Sequence, residues 1–221
     1  MSRLFKDKTD FNEDISDWDT AGVTNMWEMF AVSPGNPSVF NQDISNWNTA
    51  SVTNMQYMFN RARAFNQPIG NWNTGRLQNM RGIFAGAIAF NQDIGDWNTA
   101  KATIMHQTFA GASSFNQDIS GWNTERVNTM RYMFTGATAF NQPIDDWITG
   151  RVTDMSYMFK EAEAFNQNLC AWRDNFPYGK SPDIFKDSGC SNDLTPVQTT
   201  ADDKGPFCAS ACGVSVVLCC V

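Results

Sequence analysis

The sequence predicts an α/β solenoid, in which short coils of one strand and one short helix stack along an axis. Three observations support this class. The segment FNQDISNWNTASVTNMQYMF at 40–59 returns with few changes at 65–84 and again at 90–109. The repeat then keeps a period of 25 residues as far as Phe165. Within each period, an apolar stripe at helical spacing follows a short β-branched segment.

Each repeat carries the same residue types at fixed places. In the repeat that starts at residue 40, these are Phe40, Asn41, Ile44, Trp47 and Thr49. A single coil buries too few apolar side chains to offset the ordering of its backbone, so the coils must stack. Stacking turns each set of equivalent residues into a column with a spacing of about 4.8 Å. We predict that the asparagine column forms an amide ladder that satisfies buried backbone groups.

The second half of each coil predicts a short helix. Apolar residues fall at i, i+3, i+4 and i+7, and in one repeat they are Met55, Met58, Phe59 and Ala62. Asn54 precedes this stripe and is a favourable helix N-cap. The preceding letters VTNM predict a short strand with Val52 as its core residue.

The repeat W-N-T-x-x-V-T-N-M-x-x-M-F-x-x-A, together with F-N-Q-D-I-S, resembles that of the BspA-like leucine-rich-repeat surface proteins. This resemblance covers residues 1–172, about three quarters of the chain. It implies a leucine-rich-repeat-like solenoid, a secreted or cell-surface location, and adhesion or ligand binding. It implies no catalysis.

We divide the chain into a repeat solenoid at 1–172, a C-terminal cap at 173–194, and a linker with a cysteine-rich tail at 195–221 that need not be ordered. The solenoid has six full coils after a partial first coil at 1–11, because MSRLFKDKTDF at 1–11 aligns with MSYMFKEAEAF at 155–165. One hypothesis is that Met1 is an internal methionine of a longer protein. The alternative is a genuine start with a half coil as its cap. An open first coil would permit self-association.

All six cysteines lie in the last quarter of the chain. Four are disulfide candidates in an oxidising compartment, with buried thiols as the alternative: Cys170, Cys190, Cys208 and Cys212. Cys170 and Cys190 are a plausible pair that closes the cap. The spacing of the six cysteines matches no paired zinc motif, so we expect no metal site. Cys219 and Cys220 receive no assignment.

Composition narrows the classes of partner and location. The net charge of −7 argues against a nucleic-acid partner. No apolar stretch is long enough for a transmembrane helix. We expect no membrane span in this chain, and the resemblance to the surface proteins implies an extracellular or surface-attached protein.

Catalytic patterns are missing from the sequence. His106 is the single histidine, and we interpret it as a surface residue. An aspartate column is interrupted by prolines at 68 and 143, and its members are Asp14, Asp43, Asp93 and Asp118. Turn formation is the favoured interpretation of these aspartates, and a calcium ladder is the alternative. We predict no enzymatic activity and no cofactor.

Two columns vary between repeats and are the candidate binding residues. One places four basic residues in successive coils: Arg76, Lys101, Arg126 and Arg151. They form either a solvated face, offset by Asp96, Glu125 and Asp146, or a stripe for an acidic glycan or protein. The other column includes Arg81, His106 and Arg131, and it is followed by tyrosines at the next position: Tyr57, Tyr132 and Tyr157. Aromatic residues beside arginine suit sugar or protein contacts.

These observations predict a non-enzymatic binding or adhesion protein with a protein or glycan ligand, the ligand being acidic if the basic stripe is the site. A structural spacer within a longer surface protein is the alternative. A minor alternative is ice binding through threonine files. The first file is Thr20, Thr49, Thr74, Thr99, Thr124 and Thr149, and a broken second file is Thr24, Thr53, Thr103 and Thr153.

Overall fold

The computed structural model describes residues 1–199, 204–205 and 207–208. Its regular elements are a 3₁₀ helix at Cys170–Trp172 and the strands β1 (Val197–Gln198) and β2 (Lys204–Gly205). The two strands pair antiparallel, with Val197 opposite Gly205. The described residues contain no α-helix. The predicted α/β leucine-rich-repeat-like solenoid, with a strand and a helix in each coil, is therefore wrong.

Hydrogen bonding in the segment 55–62 shows why the predicted helix does not form. The N–H of Met58 donates to the carbonyl of Met55 at 3.0 Å and closes a turn, whereas the N–H of Tyr57 donates to the carbonyl of Arg81 in the next repeat at 2.8 Å. The following N–H groups continue this alternation. An α-helix would direct all of them to carbonyls four residues back. Half of the donors instead join one repeat to the next.

The backbone angles agree with this pattern. Tyr57 and Arg61 have φ values of 56° and 59°, so a left-handed residue recurs every four positions. Such single residues reverse the chain direction and break a helix. The apolar stripe is nevertheless fully buried, and it consists of Met55, Met58, Phe59 and Ala62. The helical spacing therefore identified the buried face correctly, although a run of turns presents that face.

The predicted strand is reduced to one bridging residue in each repeat. Parallel bridges connect, in order, Asn25, Asn54, Asn79, Ile104 and Thr129. Asn54 closes a turn rather than capping a helix, because its Oδ1 accepts the N–H of Gln56, two residues later, at 2.9 Å. These five repeats are thus series of turns, each with a single residue in a β-bridge.

Successive repeats stack in register through their aromatic rings. The ring of Phe59 lies 4.0 Å from that of Phe65, which opens the next repeat, and 5.8 Å from that of Phe84, measured between centroids. Trp72 and Trp97 stack in the same way at 6.2 Å. These buried rings form a continuous core along the repeats. Stacking supplies the apolar burial that no repeat achieves alone.

The predicted asparagine ladder is confirmed. Oδ1 of Asn91 accepts the backbone N–H of Asn116 and Nε2–H of Gln117, both at 2.9 Å. The tryptophans add a second ladder, in which Nε1–H of Trp97 donates to the carbonyl of Ile69 at 3.0 Å. These side chains satisfy backbone groups that lie between neighbouring repeats.

The C-terminal segment covers the last repeat by continuing its hydrogen bonds. The N–H of Phe159 donates to the carbonyl of Ile184 at 2.8 Å. Phe185 then extends the aromatic ladder, with its ring 5.8 Å from that of Phe159. Across the described residues, no helix is long and apolar enough to cross a membrane.

A disulfide fastens this segment, but its partners differ from the suggested pair. Cys190 bonds to Cys208, so the pairing of Cys170 with Cys190 is wrong. The physical reason is that the N–H of Asn192 donates to the carbonyl of Cys208 at 3.0 Å, which helps to hold Cys208 beside the cap. Cys170 is also disulfide-bonded. Cys212, Cys219 and Cys220 lie outside the described residues.

Candidate functional site

Three tyrosines occupy equivalent positions where the backbone is left-handed. The φ values of Tyr57, Tyr132 and Tyr157 are 56°, 56° and 59°. A bulky residue in this conformation costs roughly 1–2 kcal/mol relative to a right-handed one, and glycine adopts it freely. Gly82 holds the same place in another repeat, with φ of 55°. The backbone thus favours glycine here, and the presence of tyrosine must reflect what its ring contacts.

Tyr57 joins residues of two later repeats. Nε–H of Arg81 donates to its hydroxyl at 2.8 Å, and the guanidinium carbon lies 5.4 Å from the ring centroid. The hydroxyl itself donates to Oε1 of Gln107 at 3.1 Å. Gly82 makes this reach possible, because a Cβ at that position would overlap the tyrosine ring. The result is a fixed aromatic ring over the intervening repeat.

Tyr132 and Tyr157 form a second aromatic group. Their rings stack with centroids 4.9 Å apart and an interplanar angle of 5°. Nη2–H of Arg131 donates to the Tyr132 hydroxyl at 3.2 Å, and its guanidinium carbon lies 4.8 Å from that ring centroid. His106 meets Tyr132 edge-on, at 6.0 Å between centroids. Each aromatic group is therefore paired with one arginine.

We call the surface formed by both groups the aromatic–arginine strip. Its members are Tyr57, Arg81, His106, Gln107, Arg131, Tyr132 and Tyr157. His106 is half-buried rather than a plain surface residue. Burial lowers the pKa of His106, the charges of Arg81 and Arg131 lower it further, and Asp154 opposes them. These effects together favour the neutral imidazole over the charged one.

A groove of about 400 Å³ opens beside Tyr57. The residues that line it are Tyr57, Asn60, Arg61, Ala85, Gly86, Gln107 and Ala110. None of them is acidic. Gly86 has φ of 70°, and its missing side chain leaves the groove open between the two neighbouring repeats. The groove therefore combines an aromatic wall and a guanidinium with a flat floor of small residues.

The predicted basic stripe is exposed along its whole length. Its residues are Arg76, Lys101, Arg126 and Arg151. Within the part of the chain that the structure describes, none of them lies within 4.0 Å of a carboxylate. The acidic residues suggested as offsets, Asp96, Glu125 and Asp146, therefore form no salt bridge with it. The structure records no contact that joins this stripe to the aromatic–arginine strip among the described residues.

A family model described as "Mycoplasma protein of unknown function, DUF285" matches residues 1–94 and 78–189. The chain belongs to this family. The two matched regions overlap and together extend over the repeats and most of the cap, which agrees with a BspA-like repeat protein. No curated protein sequence matches the chain. No solved structure matches it either.

The first threonine file of this DUF285 protein is not on the surface. Its members are Thr20, Thr49, Thr74, Thr99, Thr124 and Thr149, all between 1 and 3% exposed. Oγ1–H of Thr99, for example, donates to the carbonyl of Asn123 in the next repeat at 3.0 Å. In the second file, Thr103 donates to the carbonyl of Gln78 at 3.4 Å. Ice binding through the first file is incompatible with this burial.

The aspartate column forms turns, as predicted. Oδ1 of Asp43 accepts the N–H of Ser45 at 2.9 Å, and this hydrogen bond lowers the pKa of the carboxyl group. Asp14 and Asp118 bond Ser16 and Ser120 in the same way. The described residues contain no group of three or more side chains that is placed to hold a metal ion.

Sequence reasoning missed two residues of the site, Arg61 and Gln107. Both occupy left-handed positions, with φ of 59° and 60°. A usable signal existed in the tyrosine column, where Gly82 interrupts the tyrosines. A glycine inside a supposed helix indicates either a special backbone angle or a close approach, and here both apply.

Proposed function

We propose that this DUF285 protein is a non-enzymatic binding protein, which recognises a protein or glycan ligand through the aromatic–arginine strip. The observation that supports this most is the left-handed conformation of Tyr57, Tyr132 and Tyr157. These tyrosines cost backbone energy, and their rings are partly exposed. The rings of Tyr57 and Tyr132 also pair with arginines. Tyrosine and arginine are the residue types that contribute most to binding energy at interfaces.

A secreted or cell-surface location is part of this proposal. The Cys190–Cys208 disulfide supports it, because disulfides persist mainly in oxidising compartments. The resemblance of the repeat to BspA-like surface proteins supports it independently. Reactivity of all six cysteines with a thiol reagent in freshly isolated native protein would contradict this location.

A structural spacer is the second candidate function. It is favoured by the uniformity of the ladders, since the same contacts recur with little change from Phe30 to Phe159. A spacer needs stiffness and no localised site. A binding module needs a patch whose loss abolishes affinity.

Arrays of glycans and extracellular-matrix proteins would distinguish the two functions. Wild type would be compared with a strip variant carrying Tyr57→Asn, Tyr132→Asn and Tyr157→Asn, since asparagine tolerates the left-handed backbone. The matched control changes the basic stripe to alanine at Arg76, Lys101, Arg126 and Arg151. We expect the strip variant to lose the ligand and the control to keep it.

Each other outcome of the array has a definite meaning. Loss of binding in the control alone would move the site to the basic stripe. An absence of binding by every protein, with folding verified by a cooperative melt, would overturn the proposal in favour of the spacer.

A further inference from the structure

We infer that the aromatic–arginine strip binds an acidic polysaccharide, whose sugar rings carry carboxylate groups. This inference rests on the proposed function and specifies its ligand class. Three features of the described residues lead to it: arginines without salt bridges, aromatic rings beside those arginines, and a length that exceeds one sugar.

The arginines of the strip and groove have no carboxylate within 4.0 Å among the described residues. Arg81 and Arg131 instead bond tyrosine hydroxyls. Asp154 acts on Arg131 through its charge, without forming a salt bridge. Guanidinium groups match carboxylates in shape and can bind them through two hydrogen bonds. An anionic ligand would therefore supply the acceptors that the protein does not provide.

The net charge of the protein acts against polyanions in general. At −7, the chain as a whole repels polyanions, so anion binding must depend on a local site rather than on the overall field. The residues that line the groove include Arg61 and Gln107 and no acidic side chain. The charge of the groove is thus positive, opposite in sign to the net charge of the whole protein.

The tyrosine rings favour a sugar over an acidic peptide. The rings of Tyr132 and Tyr157 are nearly parallel and stacked, and the ring of Tyr57 lies close against Gly82. Sugar rings present flat C–H faces that pack on such surfaces, whereas a run of aspartates or glutamates gains little from them. The groove beside Tyr57 has room for a ring-sized group, with a volume of about 400 Å³.

The length of the strip favours a polymer. Tyr57 and Tyr157 are four repeats apart, which corresponds to roughly 19 Å at about 4.8 Å per repeat. The hydroxyl of Tyr57 already spans two repeats to reach Gln107. A chain of linked sugars can contact both aromatic groups at once, and a single sugar cannot.

Calorimetric titration with three probes tests the inference. Oligogalacturonate carries both rings and carboxylates, its methyl ester keeps the rings without the charge, and polyglutamate keeps the charge without the rings. We expect the oligogalacturonate to bind at least about tenfold more tightly than either control, a difference that corresponds to one charge-assisted interaction.

Matched variants locate the binding. Arg81→Gln combined with Arg131→Gln should weaken oligogalacturonate binding by at least about tenfold. Arg76→Gln combined with Arg126→Gln removes the same charge from the basic stripe and should change the affinity by less than about threefold. Tyr57→Asn with Tyr132→Asn keeps the charges and should also weaken binding, which covers the case in which the first variant folds poorly.

Several results would overturn the inference. Equal binding of the methyl ester would exclude a role for charge, and equal binding of polyglutamate would exclude a role for the rings. Loss of binding in the Arg76 and Arg126 variant alone would place the site elsewhere. Failure of oligogalacturonate to bind, while an array ligand still depends on the three tyrosines, would reject the acidic polysaccharide and leave the proposed function standing.

Discussion

The repeats and the C-terminal segment of this protein become ordered in different ways. In the repeats, the contacts of the core recur: Phe109 stacks on Phe84 and Phe134 at 5.7 and 5.5 Å, just as its equivalents do. In the C-terminal segment, each contact occurs once. The ring of Phe176 meets that of Phe207 edge-on at 5.1 Å. Further ties of this segment include the Cys190–Cys208 disulfide and an ion pair of 2.8 Å between Lys204 and Asp174.

This difference determines how damage spreads in the two regions. A repeat interacts mainly with its two neighbours, so the loss of one contact is felt locally, and the rest of the stack remains intact. The C-terminal segment has no second copy of its contacts. Its order should be lost as a unit when one of them is removed. Four changes test this comparison.

The largest effect is expected within the aromatic ladder. Phe109→Ala removes a fully buried ring that has neighbours on both sides, and it should lower the free energy of unfolding by about 3–5 kcal/mol. Phe5 is partly buried and belongs to the first repeat, so Phe5→Ala should cost about half as much. Urea denaturation measures both. Equal losses would contradict the nearest-neighbour description of the stack.

The second effect concerns the disulfide. Changing both Cys190 and Cys208 to alanine removes a link between residues 18 apart, which is worth about 3 kcal/mol. We expect the loss to be confined to the C-terminal segment. Hydrogen exchange should accelerate at residues 174–199, while residues 90–140 serve as the internal control and keep their protection. Faster exchange throughout the stack would show that the two regions unfold together.

The third effect is that of the asparagine ladder. Asn91→Ala leaves the backbone N–H of Asn116 without its acceptor, and it should cost about 1–3 kcal/mol. Asn166 is the matched control, because no asparagine N–H donates to its side chain within the described residues. Asn166→Ala should therefore cost clearly less. Thermal melts of both variants measure these losses of stability. A larger loss for Asn166→Ala than for Asn91→Ala would contradict a stabilising role of the asparagine ladder.

The smallest effect is the pH dependence that His106 contributes. Burial and the two arginines lower its pKa in the folded protein, so the unfolded chain takes up the proton first as the pH falls. The stability associated with neutral His106 is present above about pH 6.5, and it decreases as the pH falls toward the folded pKa. Because the chain has one histidine, proton NMR follows its imidazole without ambiguity. A midpoint above about 6.5 would contradict the prediction.

Two substitutions sharpen the histidine measurement. Arg131→Gln removes a repelling charge and should raise the midpoint, whereas Asp154→Asn removes an attracting charge and should lower it. His106→Gln should lose the pH dependence of stability that this group contributes.

Much of the stack could be predicted from the sequence, but the turns that replace the predicted helix could not. The stripe of Met55, Met58, Phe59 and Ala62 specifies which side chains are buried, and it does not specify the hydrogen bonds between them. Glycines at 82, 86, 111 and 136 all have positive φ. Their recurrence inside a supposed helix was the available evidence for turns, since glycine disfavours helix interiors.

In the candidate site, too, the sequence predicts some features and not others. The tyrosines and arginines were visible as variable columns in the sequence. The pairing of Tyr57 with Gln107 was not, because it crosses the repeat that contains Gly82. Nor was the burial of the threonine file, whose hydroxyls donate to carbonyls of the following repeat. Contacts between repeats depend on how the coils close, and local patterns do not contain that information.

The sequence by itself determined the period, the columns and the ladder of asparagines, because identical residues at a fixed spacing must meet when the repeats stack. Only the tertiary structure decided where the backbone N–H groups go. In this protein, the N–H of Tyr57 reaches a neighbouring repeat at 2.8 Å instead of a carbonyl in its own. Either hydrogen bond would satisfy the N–H group. The protein adopts the bond to the neighbouring repeat, because this bond also joins the buried aromatic layers.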